Sequence, residues 1–187
     1  GNDLIGCDHN QGILWTVMKG KGGGGTTPVI QYNNIYGNLE YGASTSGGVM
    51  DATHNWWGHP SGPHHSPLNP WGQGDAVSDG VNFEPWLLSA WETTDTVHTK
   101  TDMLSKGESV DIPDVVEATA EKGDGIVTVG EYVENPGTEI LSGNTGSYVD
   151  VHITEAKIDD PEKYVMEELL IKIFYDEGII ESSLEMY

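Results

Sequence analysis

The chain has 187 residues and carries 30 acidic side chains against eight lysines and no arginine, so its formal net charge is −22 at pH 7. So acidic a surface repels polyanions, which argues against nucleic acids and anionic membranes as partners. No apolar run approaches the roughly 20 residues that a membrane-spanning helix needs. Hydrophobic residues make up 36% of the chain and include six tryptophans, enough for a folded core. The single cysteine, Cys7, excludes an intramolecular disulfide.

The two halves of the chain differ in composition. Residues 1–91 hold all six tryptophans, 17 of the 25 glycines and seven acidic residues, whereas residues 92–187 hold 23 acidic residues and no tryptophan. A shift of this kind at a polar, threonine-rich segment is typical of a domain boundary. We therefore expect a first domain at 1–91, a linker at 92–105 and a second, acidic domain at 106–187.

Short strands separated by turns are expected in the first domain. Residues 13–18 form a β-prone run that ends in the glycine-rich segment 19–25. Residues 28–38 alternate apolar and polar side chains and then turn, and residues 47–55 repeat this style. Apolar pairs that recur after short gaps are consistent with the rungs of a solenoid, in which each turn of chain stacks on the next.

The acidic domain is also predicted to consist of strands. Alternating segments lie at 126–133, 146–153 and 180–187, and turn sequences such as Lys122-Gly-Asp-Gly125 separate them. Residues 167–175 place apolar side chains at every second position, which favours a strand, although the Glu- and Leu-rich sequence leaves a helix over residues 162–175 as the alternative. Several strands separated by turns indicate a β-sandwich.

One segment of the first domain carries a more specific signal than composition. Residues 51–58 read D-A-T-H-N-W-W-G, and Gly-Pro, Asn-Pro, Gly-x-Gly-Asp and Pro-Trp-Leu motifs follow as far as residue 87. This order resembles the terminal rung and cap of right-handed parallel β-helices of the pectate-lyase-like superfamily, over residues 28–90. The second half is similar to the β-sandwich module that follows such caps in archaeal and bacterial surface-layer-type proteins. The resemblance implies an all-β fold: the end of a parallel β-helix with its cap, then an Ig-like β-sandwich.

The resemblance gives the tryptophan-rich segment a structural role. The open end of a solenoid exposes apolar side chains and unpaired strand edges, so another part of the chain must cover it. Large indole rings can lie over the last rung, glycines supply turns, and prolines stiffen the covering loop. The cap residues expected on this basis are Asn55, Trp56, Trp57, Gly58 and Trp86.

A few residues of the first domain are candidate metal ligands. Calcium takes six to eight oxygen ligands, and the acidic residues near Gly74 and Gly80 could supply some of them. The candidate set is Asp51, His54, Asp75 and Asp79. The sequence does not require a cofactor, and Ca²⁺ is the metal that this set suggests. The alternative interpretation is that each aspartate side chain hydrogen-bonds the backbone of its own turn. Four histidines between residues 54 and 65 suggest Zn²⁺ or Cu²⁺, although their spacing matches no metal motif.

Catalytic motifs are not recognisable in the sequence. Enzymes of the pectate-lyase-like superfamily use an arginine or lysine base beside clustered acids, whereas the first domain has only Lys19 and Lys21, both in a glycine-rich loop. Glycoside hydrolysis needs two carboxylates that face each other across a cleft, and no such pair can be assigned. No Gly-x-Ser-x-Gly motif occurs either. We therefore expect a protein without enzymatic activity.

The sequence and the resemblance together imply an extracellular structural or adhesive protein of a surface layer, sheath or filament. Both ends of the chain look truncated, so open β-edges would let copies of the chain, or other surface proteins, pair by strand addition. The segments most suited to exchange are the glycine- and threonine-rich start and residues 180–187. The alternative is a carbohydrate-binding module or a fragment of a secreted polysaccharide-degrading enzyme, with Trp15, Trp71 or Trp91 stacking on sugars.

Overall fold

The structure is a computed structural model. The part of the chain that it describes consists of strands and turns. The described residues are 3–5, 11–15, 27–90, 96–133, 148–154, 166–175 and 178–185. No helix occurs among them, so none of their segments is a helix that could cross a membrane. The expected all-β class is therefore confirmed. The chain divides into two compact units, Gly1–Glu92 and Thr93–Tyr187.

The first unit contains eight short strands among its described residues. In chain order they are β1 (Asp3–Ile5), β2 (Gln11–Trp15), β3 (Asn34–Tyr36), β4 (Tyr41–Thr45), β5 (Met50–Asp51), β6 (Pro63–His64), β7 (Gly74–Ala76) and β8 (Val81–Asn82). They form four two-stranded sheets, β1–β3, β2–β4, β5–β8 and β6–β7, and all four pairs are parallel. These sheets are small, and within the described ranges they lack the long ladders of an extended solenoid.

Parallel pairing in this unit joins segments that are 22 to 34 residues apart in the sequence, except for β6 and β7, whose paired residues are 11 and 12 positions apart. The paired residues include Leu4 with Ile35, Ile13 with Ala43, Val29 with Asp51, Asn34 with Trp56, Ala43 with Val77 and Met50 with Val81. Parallel neighbours need a crossover connection of at least about a dozen residues, which these separations provide. Asn34, Ala43 and Asp51 each have a parallel neighbour on both sides, so at these positions consecutive segments of the chain lie beside one another.

The second unit consists of two antiparallel sheets. Its strands are β9 (Thr96–Leu104), β10 (Ser109–Ile112), β11 (Val116–Gly123), β12 (Gly125–Tyr132), β13 (Tyr148–Thr154), β14 (Met166–Tyr175) and β15 (Gly178–Glu185). One sheet has the order β10–β11–β14–β15 and the other β13–β12–β9. Buried apolar side chains from both sheets form one hydrophobic cluster, which includes Val110, Val116, Val127, Val129 and Leu169.

Strand β9 occupies most of the segment 92–105, for which the polar composition predicted a linker. Thr96, Thr99 and Thr101 are buried within this strand, with exposed fractions of 9% or less. The branched Cβ of threonine favours extended backbone, so a threonine-rich segment can form a strand despite its polarity. The boundary between the two units lies after Glu92, ahead of this strand.

Strand β14 follows the period of two that residues 167–175 show in the sequence. Leu169 is completely buried and Ile171 is 7% exposed, whereas Glu167 of the same strand is exposed. β14 pairs with β11 on one side and with β15 on the other, so it lies inside the four-stranded sheet. The alternative helix is therefore wrong over residues 166–175, where the backbone pairs with a strand on each side and the buried Leu169 and Ile171 pack in the hydrophobic cluster with residues of the other sheet.

Candidate functional site

Asn55 lies at the centre of the tryptophan-rich segment and is completely buried. Its Nδ2 donates hydrogen bonds to the backbone carbonyls of Ile30 at 2.6 Å and Ala52 at 2.8 Å. Its Oδ1 accepts from the backbone N and the Nδ2 of Asn33, at 2.9 and 3.1 Å. The carbonyl of Asn55 accepts from the backbone N of Leu87 at 3.0 Å. Asn55 therefore links three segments of the chain, with both its amide donor and its amide acceptor satisfied.

The segments on either side of Asn33 and Asn55 repeat with a constant offset of 22 residues. Residues 29–34 lie beside residues 51–56, with parallel bridges at both ends of this range. Tyr32 and His54 occupy equivalent positions, and both have left-handed backbone, with φ of 59° and 55°. Their rings stack with centroids 5.5 Å apart and planes 19° apart. Equivalent positions in the two segments thus share both side-chain contact and backbone conformation.

The tryptophans expected in the cap differ in their burial. Trp57 is completely buried and Trp86 is 2% exposed, whereas Trp56 is half-buried. The Nε1 of Trp86 donates to the carbonyl of Pro60 at 2.8 Å. Its indole lies against Gly62, where an added Cβ would come within 2.5 Å of the ring. Gly62 therefore gives Trp86 room to pack, and its φ of 75° is one that glycine adopts without strain.

Gly58 is exposed, but its backbone lies against Tyr36 of β3. Its φ is 91°, and an added Cβ would lie 2.6 Å from the Cβ of Tyr36. On the other side of the motif, the carbonyl of Trp57 accepts from the backbone N of Asp75 at 2.9 Å. Gly74 approaches the same carbonyl so closely that an added Cβ would lie 2.5 Å from it. The Trp-Trp-Gly sequence thus lies between two neighbouring segments that both approach at backbone distance.

Asp51, the first of the candidate metal ligands, is held by its neighbours. Its carboxylate accepts hydrogen bonds from the Oγ1 and backbone N of Thr53, at 2.8 and 3.2 Å, and from Nε2 of Gln31 at 3.2 Å. Burial by itself would raise the pKa of Asp51, but the hydrogen bonds from Thr53 and Gln31 outweigh it and lower that pKa. The side chain of Asp51 thus fixes its own turn to the neighbouring segment.

Asp75 and Asp79 serve different parts of the first unit. Asp75 accepts from the backbone N of Gly37 at 2.9 Å, and from the backbone N and Nδ2 of Asn38 at 3.0 and 2.7 Å. Asp79 has a side chain that is 98% exposed, and its Oδ1 lies 3.3 Å from Nε2 of His65. Within the described ranges, no three His, Cys, Asp or Glu side chains are grouped as a metal site. The set Asp51, His54, Asp75 and Asp79 is therefore not brought together, because each carboxylate faces a different turn.

The remaining histidines of the tryptophan-rich segment have separate environments. The Nδ1 of His59 shares a hydrogen bond of 2.7 Å with the Oγ of Ser61. His64 is exposed, whereas His65 is 5% exposed and packs its ring 5.6 Å from that of Phe83. The spacing in the sequence therefore does not correspond to a shared site among these side chains.

Of the three tryptophans proposed to stack on sugars, Trp71 is the one whose side chain the structure describes. Trp91 and the side chain of Trp15 lie outside the described residues. Trp71 is 37% exposed, in a loop that also presents Leu68 with 72% exposed. The loop is held by Asn69, whose Nδ2 donates to the carbonyls of Ser61 at 2.9 Å and Pro63 at 2.8 Å. Trp71 is thus presented on a fixed loop.

An acid–histidine network in the second unit was missed by sequence reasoning. The Oδ2 of Asp150 lies 3.0 Å from Nε2 of His152 and accepts from the hydroxyl of Tyr132 at 3.4 Å. The hydrogen bond with His152 lowers the pKa of Asp150, against the opposing effect of burial. Alternation could have revealed the pair, since residues two apart in a strand point to the same face.

Comparisons with protein-family models, with curated proteins and with solved structures found no match to this chain. The geometry defines an all-β protein of two units, whose singled-out polar residues mainly hold neighbouring segments together. The resemblance to β-helix caps rests on the motifs within residues 28–90.

Proposed function

We propose that this chain is a non-catalytic structural or adhesive module of an extracellular surface layer, sheath or filament. In this proposal residues 1–91 are the end of a right-handed parallel β-helix with its cap, and residues 106–187 are an Ig-like β-sandwich. The observation that carries the proposal is the buried side chain of Asn55, which hydrogen-bonds Ile30 and Asn33 of one neighbouring segment, while its backbone carbonyl accepts from Leu87 of another. A residue used in this way stabilises a stack of segments, and its side-chain amide is fully engaged in hydrogen bonds that hold the stack together.

Support for the stacked arrangement comes from the parallel bridges of the first unit. Ala43 lies between Ile13 and Val77, and Asp51 lies between Val29 and Asn82. In a stack of this kind each layer contacts only its neighbours, and its stability is roughly a sum of layer and interface contributions. Such a stack is suited to act as a stiff spacer, with Trp57 and Trp86 buried as parts of the cap.

Support for a non-catalytic role comes from the carboxylates of the same unit. Asp75 accepts three hydrogen bonds from Gly37 and Asn38, and Asp51 accepts from Thr53 and Gln31. A pair of catalytic carboxylates has to converge on a substrate from two sides. These two instead face backbone and side-chain donors of separate turns, which is a structural use.

The net charge of −22 bears on where and how copies would meet. Like-charged copies repel one another in dilute salt, and this repulsion is screened as the Debye length falls, to about 3 Å at 1 M salt. A secreted protein in saline surroundings, or one with Ca²⁺ as counter-ion, would therefore assemble more readily. The proposed partners are copies of this chain, or other surface proteins, that add strands at open β-edges.

The experiment is light scattering of the purified chain over a range of concentrations, at low salt, at high salt and with CaCl₂, followed by electron microscopy. We expect assemblies whose population grows with protein concentration and with salt. A monomer under all of these conditions would contradict self-assembly. Release of unsaturated or reducing sugars from uronic-acid polymers incubated with the chain would contradict the non-catalytic assignment.

A carbohydrate-binding module is the second candidate, and the exposure of Trp71 on its fixed loop favours it. Aromatic rings in this setting offer a flat apolar surface for stacking. Affinity electrophoresis of the Trp71→Ala variant in gels that contain soluble polysaccharides tests it, with Leu68→Ala on the same loop as the matched control. Retardation that Trp71→Ala abolishes and Leu68→Ala keeps would favour glycan binding. Equal mobility of all three proteins in every gel would count against it.

A further inference from the structure

The outer edge of strand β13 differs from the edge at the other end of its sheet. Among the described strands, β13 pairs with β12 on one side and with none on the other. At the far end of the sheet, β9 is bridged to β10 by Lys100, whose Nζ donates to the carboxylate of Asp111 at 3.0 Å and to its carbonyl at 3.3 Å. A lysine at a sheet edge is a common protection against pairing with other chains. The β13 sequence, from Tyr148 to Thr154, contains no lysine.

The apolar side chains of β13 are incompletely covered. Val149, Val151 and Ile153 pack against the hydrophobic cluster of the second unit but are only partly buried. Val127 and Val129, which lie opposite Ile153 and Val151 on β12, are completely buried. The two strands differ in that β12 has a strand on each side, whereas β13 has one among the described strands. A further strand beside β13 would therefore remove more apolar surface from water, which is favourable.

The sequence of β13 is self-complementary when two copies run antiparallel. With Val151 opposite Val151 of a second copy, Asp150 lies opposite His152 and Val149 lies opposite Ile153, in both directions. Because alternate residues point to opposite faces, the apolar pairs share the core face and the Asp–His pairs share the other face. Opposite charges directly across a strand pair stabilise it, and like charges destabilise it.

Other registers of the same pairing are less favourable. A shift of one residue places apolar side chains opposite polar ones on both faces. Centring the pairing on Asp150 would put the two Asp150 carboxylates opposite each other, and centring it on His152 would do the same with the two imidazoles. The register centred on Val151 is thus the one that matches both faces.

We propose that two copies of this chain associate by antiparallel pairing of β13 with β13 of the second copy, with Val151 on the twofold axis. The pairing joins two three-stranded sheets into one continuous sheet. Directly opposed Cβ atoms lie about 4.5–5.5 Å apart, so Asp150 and His152, which already pair within one copy at 3.0 Å, reach their counterparts in the other. The inference rests on the proposed function in that self-association uses an open strand edge.

The local pattern of Asp150 and His152 favours a second copy at this edge over other parts of the surface. Two molecules with a net charge of −22 repel each other over most of their surface. At β13, a carboxylate and an imidazole face each other twice because of the twofold symmetry, and the pair carries opposite charges when His152 is protonated. A twofold contact of this kind closes on itself, so a longer filament needs a second contact elsewhere on the chain.

Charge exchange across the interface tests the pairing. Asp150→Lys places a cation opposite His152, and His152→Asp places a carboxylate opposite Asp150, so each should weaken dimerisation by about tenfold or more. The double variant Asp150→Lys/His152→Asp restores opposite charges and should recover most of that loss. Glu121→Lys on β11 is the matched control, because it changes the net charge as Asp150→Lys does, on the other sheet. Sedimentation equilibrium measures the dissociation constant, and circular dichroism checks that each variant is folded.

Cross-linking tests the register. In a Cys7→Ser background, Val151→Cys places the two cysteines of a dimer directly opposite each other. A disulfide usually joins residues whose Cα atoms are about 4.4–6.8 Å apart, a separation that directly opposed residues have, so mild oxidation should give a covalent dimer. Val149→Cys is the control, since the two copies of residue 149 would lie four positions apart along the strands, about 13 Å. We expect dimer from Val151→Cys and monomer from Val149→Cys.

The outcomes separate this pairing from the proposed function. Assemblies that form equally well in all charge variants, and that give no Val151→Cys dimer, overturn the β13 pairing but leave self-assembly through another edge standing. A dimer that responds to the charge exchange, with no larger assembly in the microscope, supports the pairing and contradicts the filament. A chain that remains monomeric throughout overturns both.

Discussion

Asn55 accepts two hydrogen bonds from Asn33, one from its backbone N at 2.9 Å and one from its Nδ2 at 3.1 Å. The two residues are 22 positions apart in the sequence and occupy equivalent places in neighbouring parallel segments. Asn33 also donates its Nδ2 to the carbonyl of Gln31 at 2.8 Å. Stacked asparagines of this kind occur as ladders between parallel, in-register strands. The register of these segments is therefore specified by polar side chains as well as by apolar burial.

Replacement of Asn55 tests this relationship. Asn55→Ala leaves the carbonyl of Ile30 and the backbone N of Asn33 without their partner, and we expect a loss of about 2 kcal/mol or more in unfolding free energy. Asn55→Asp keeps the shape but replaces the donor by an acceptor beside backbone carbonyls, so the loss should be larger, about 3 kcal/mol or more. Asn82 is exposed, so Asn82→Ala is the control and should change the unfolding free energy by less than about 0.5 kcal/mol.

Tryptophan fluorescence in urea measures this effect on the first unit alone, because all six tryptophans lie within it. Equal midpoints for Asn55→Asp and Asn82→Ala would contradict the assigned role. The same readout separates the two units, which need not unfold in one transition.

The packing of Trp86 on Gly62 leads to a second prediction. Gly62→Ala forces a Cβ to within 2.5 Å of the indole and also strains a backbone with φ of 75°. Gly107→Ala has a similar φ of 87° but meets nothing within 4 Å. We expect Gly107→Ala to cost about 1 kcal/mol and Gly62→Ala about 3 kcal/mol, the difference being the clash with the ring. Circular dichroism for Gly107 and tryptophan fluorescence for Gly62 measure the two, and equal losses would show that the indole can move aside.

Local periodicity predicted much of the second unit. Strand β14 was predicted because Leu169, Ile171 and Ile173 alternate with more exposed residues, and an isolated strand already carries that pattern. Strand β9 was not predicted, because Thr99 and Thr101 are polar residues that become buried only when β12 lies beside them. The hydroxyls of Thr101 and Thr128 share a hydrogen bond at 2.8 Å, so the polar groups are satisfied across the strands. Composition alone does not contain that partner.

The pairing of Asn33 with Asn55 could be predicted only in part. Both asparagines stand out in motifs that resemble one another, but the offset of 22 residues is specified by the length of the intervening turn and not by either motif. The four candidate metal ligands are not grouped among the described residues for a related reason. Asp75 and Asp51 stand near glycines as cation ligands do, yet each hydrogen-bonds a segment that lies more than ten residues away in sequence. Which segment lies opposite is decided by the packing of the whole unit.

The turn between β10 and β11 gives a prediction of the opposite sign. Ile112 and Val115 close this turn with a hydrogen bond of 3.0 Å, with Pro113 and Asp114 between them. Asp114 has a φ of 60°, as the third residue of a type II turn requires, and it is exposed. Asp114→Gly should therefore stabilise the second unit, by about 0.5–1 kcal/mol, and Asp114→Val should destabilise it by about 1 kcal/mol or more. Thermal unfolding followed by circular dichroism would show the two variants moving in opposite directions from the parent, and a shift of both in one direction would contradict the turn assignment.

The lowered pKa of Asp150 makes the second unit sensitive to acid. The hydrogen bond with His152 holds the pKa of Asp150 in the folded chain below its ordinary value of 3.8. The unfolded chain therefore binds a proton to this group at a higher pH than the folded chain does. The stability that the interaction contributes is complete above pH 3.8 and is lost as the pH falls through the lower pKa of the folded state.

Asp150→Asn removes this contribution, so the variant should be less stable than the parent near neutral pH and should lose less stability on acidification. Urea unfolding followed by circular dichroism at several pH values measures the difference, with Asp124→Asn as a control, since Asp124 lies in the turn between β11 and β12, outside the group formed by Asp150, His152 and Tyr132. A parent and an Asp150→Asn variant with parallel pH profiles would show that the Asp150–His152 pair contributes nothing to folding.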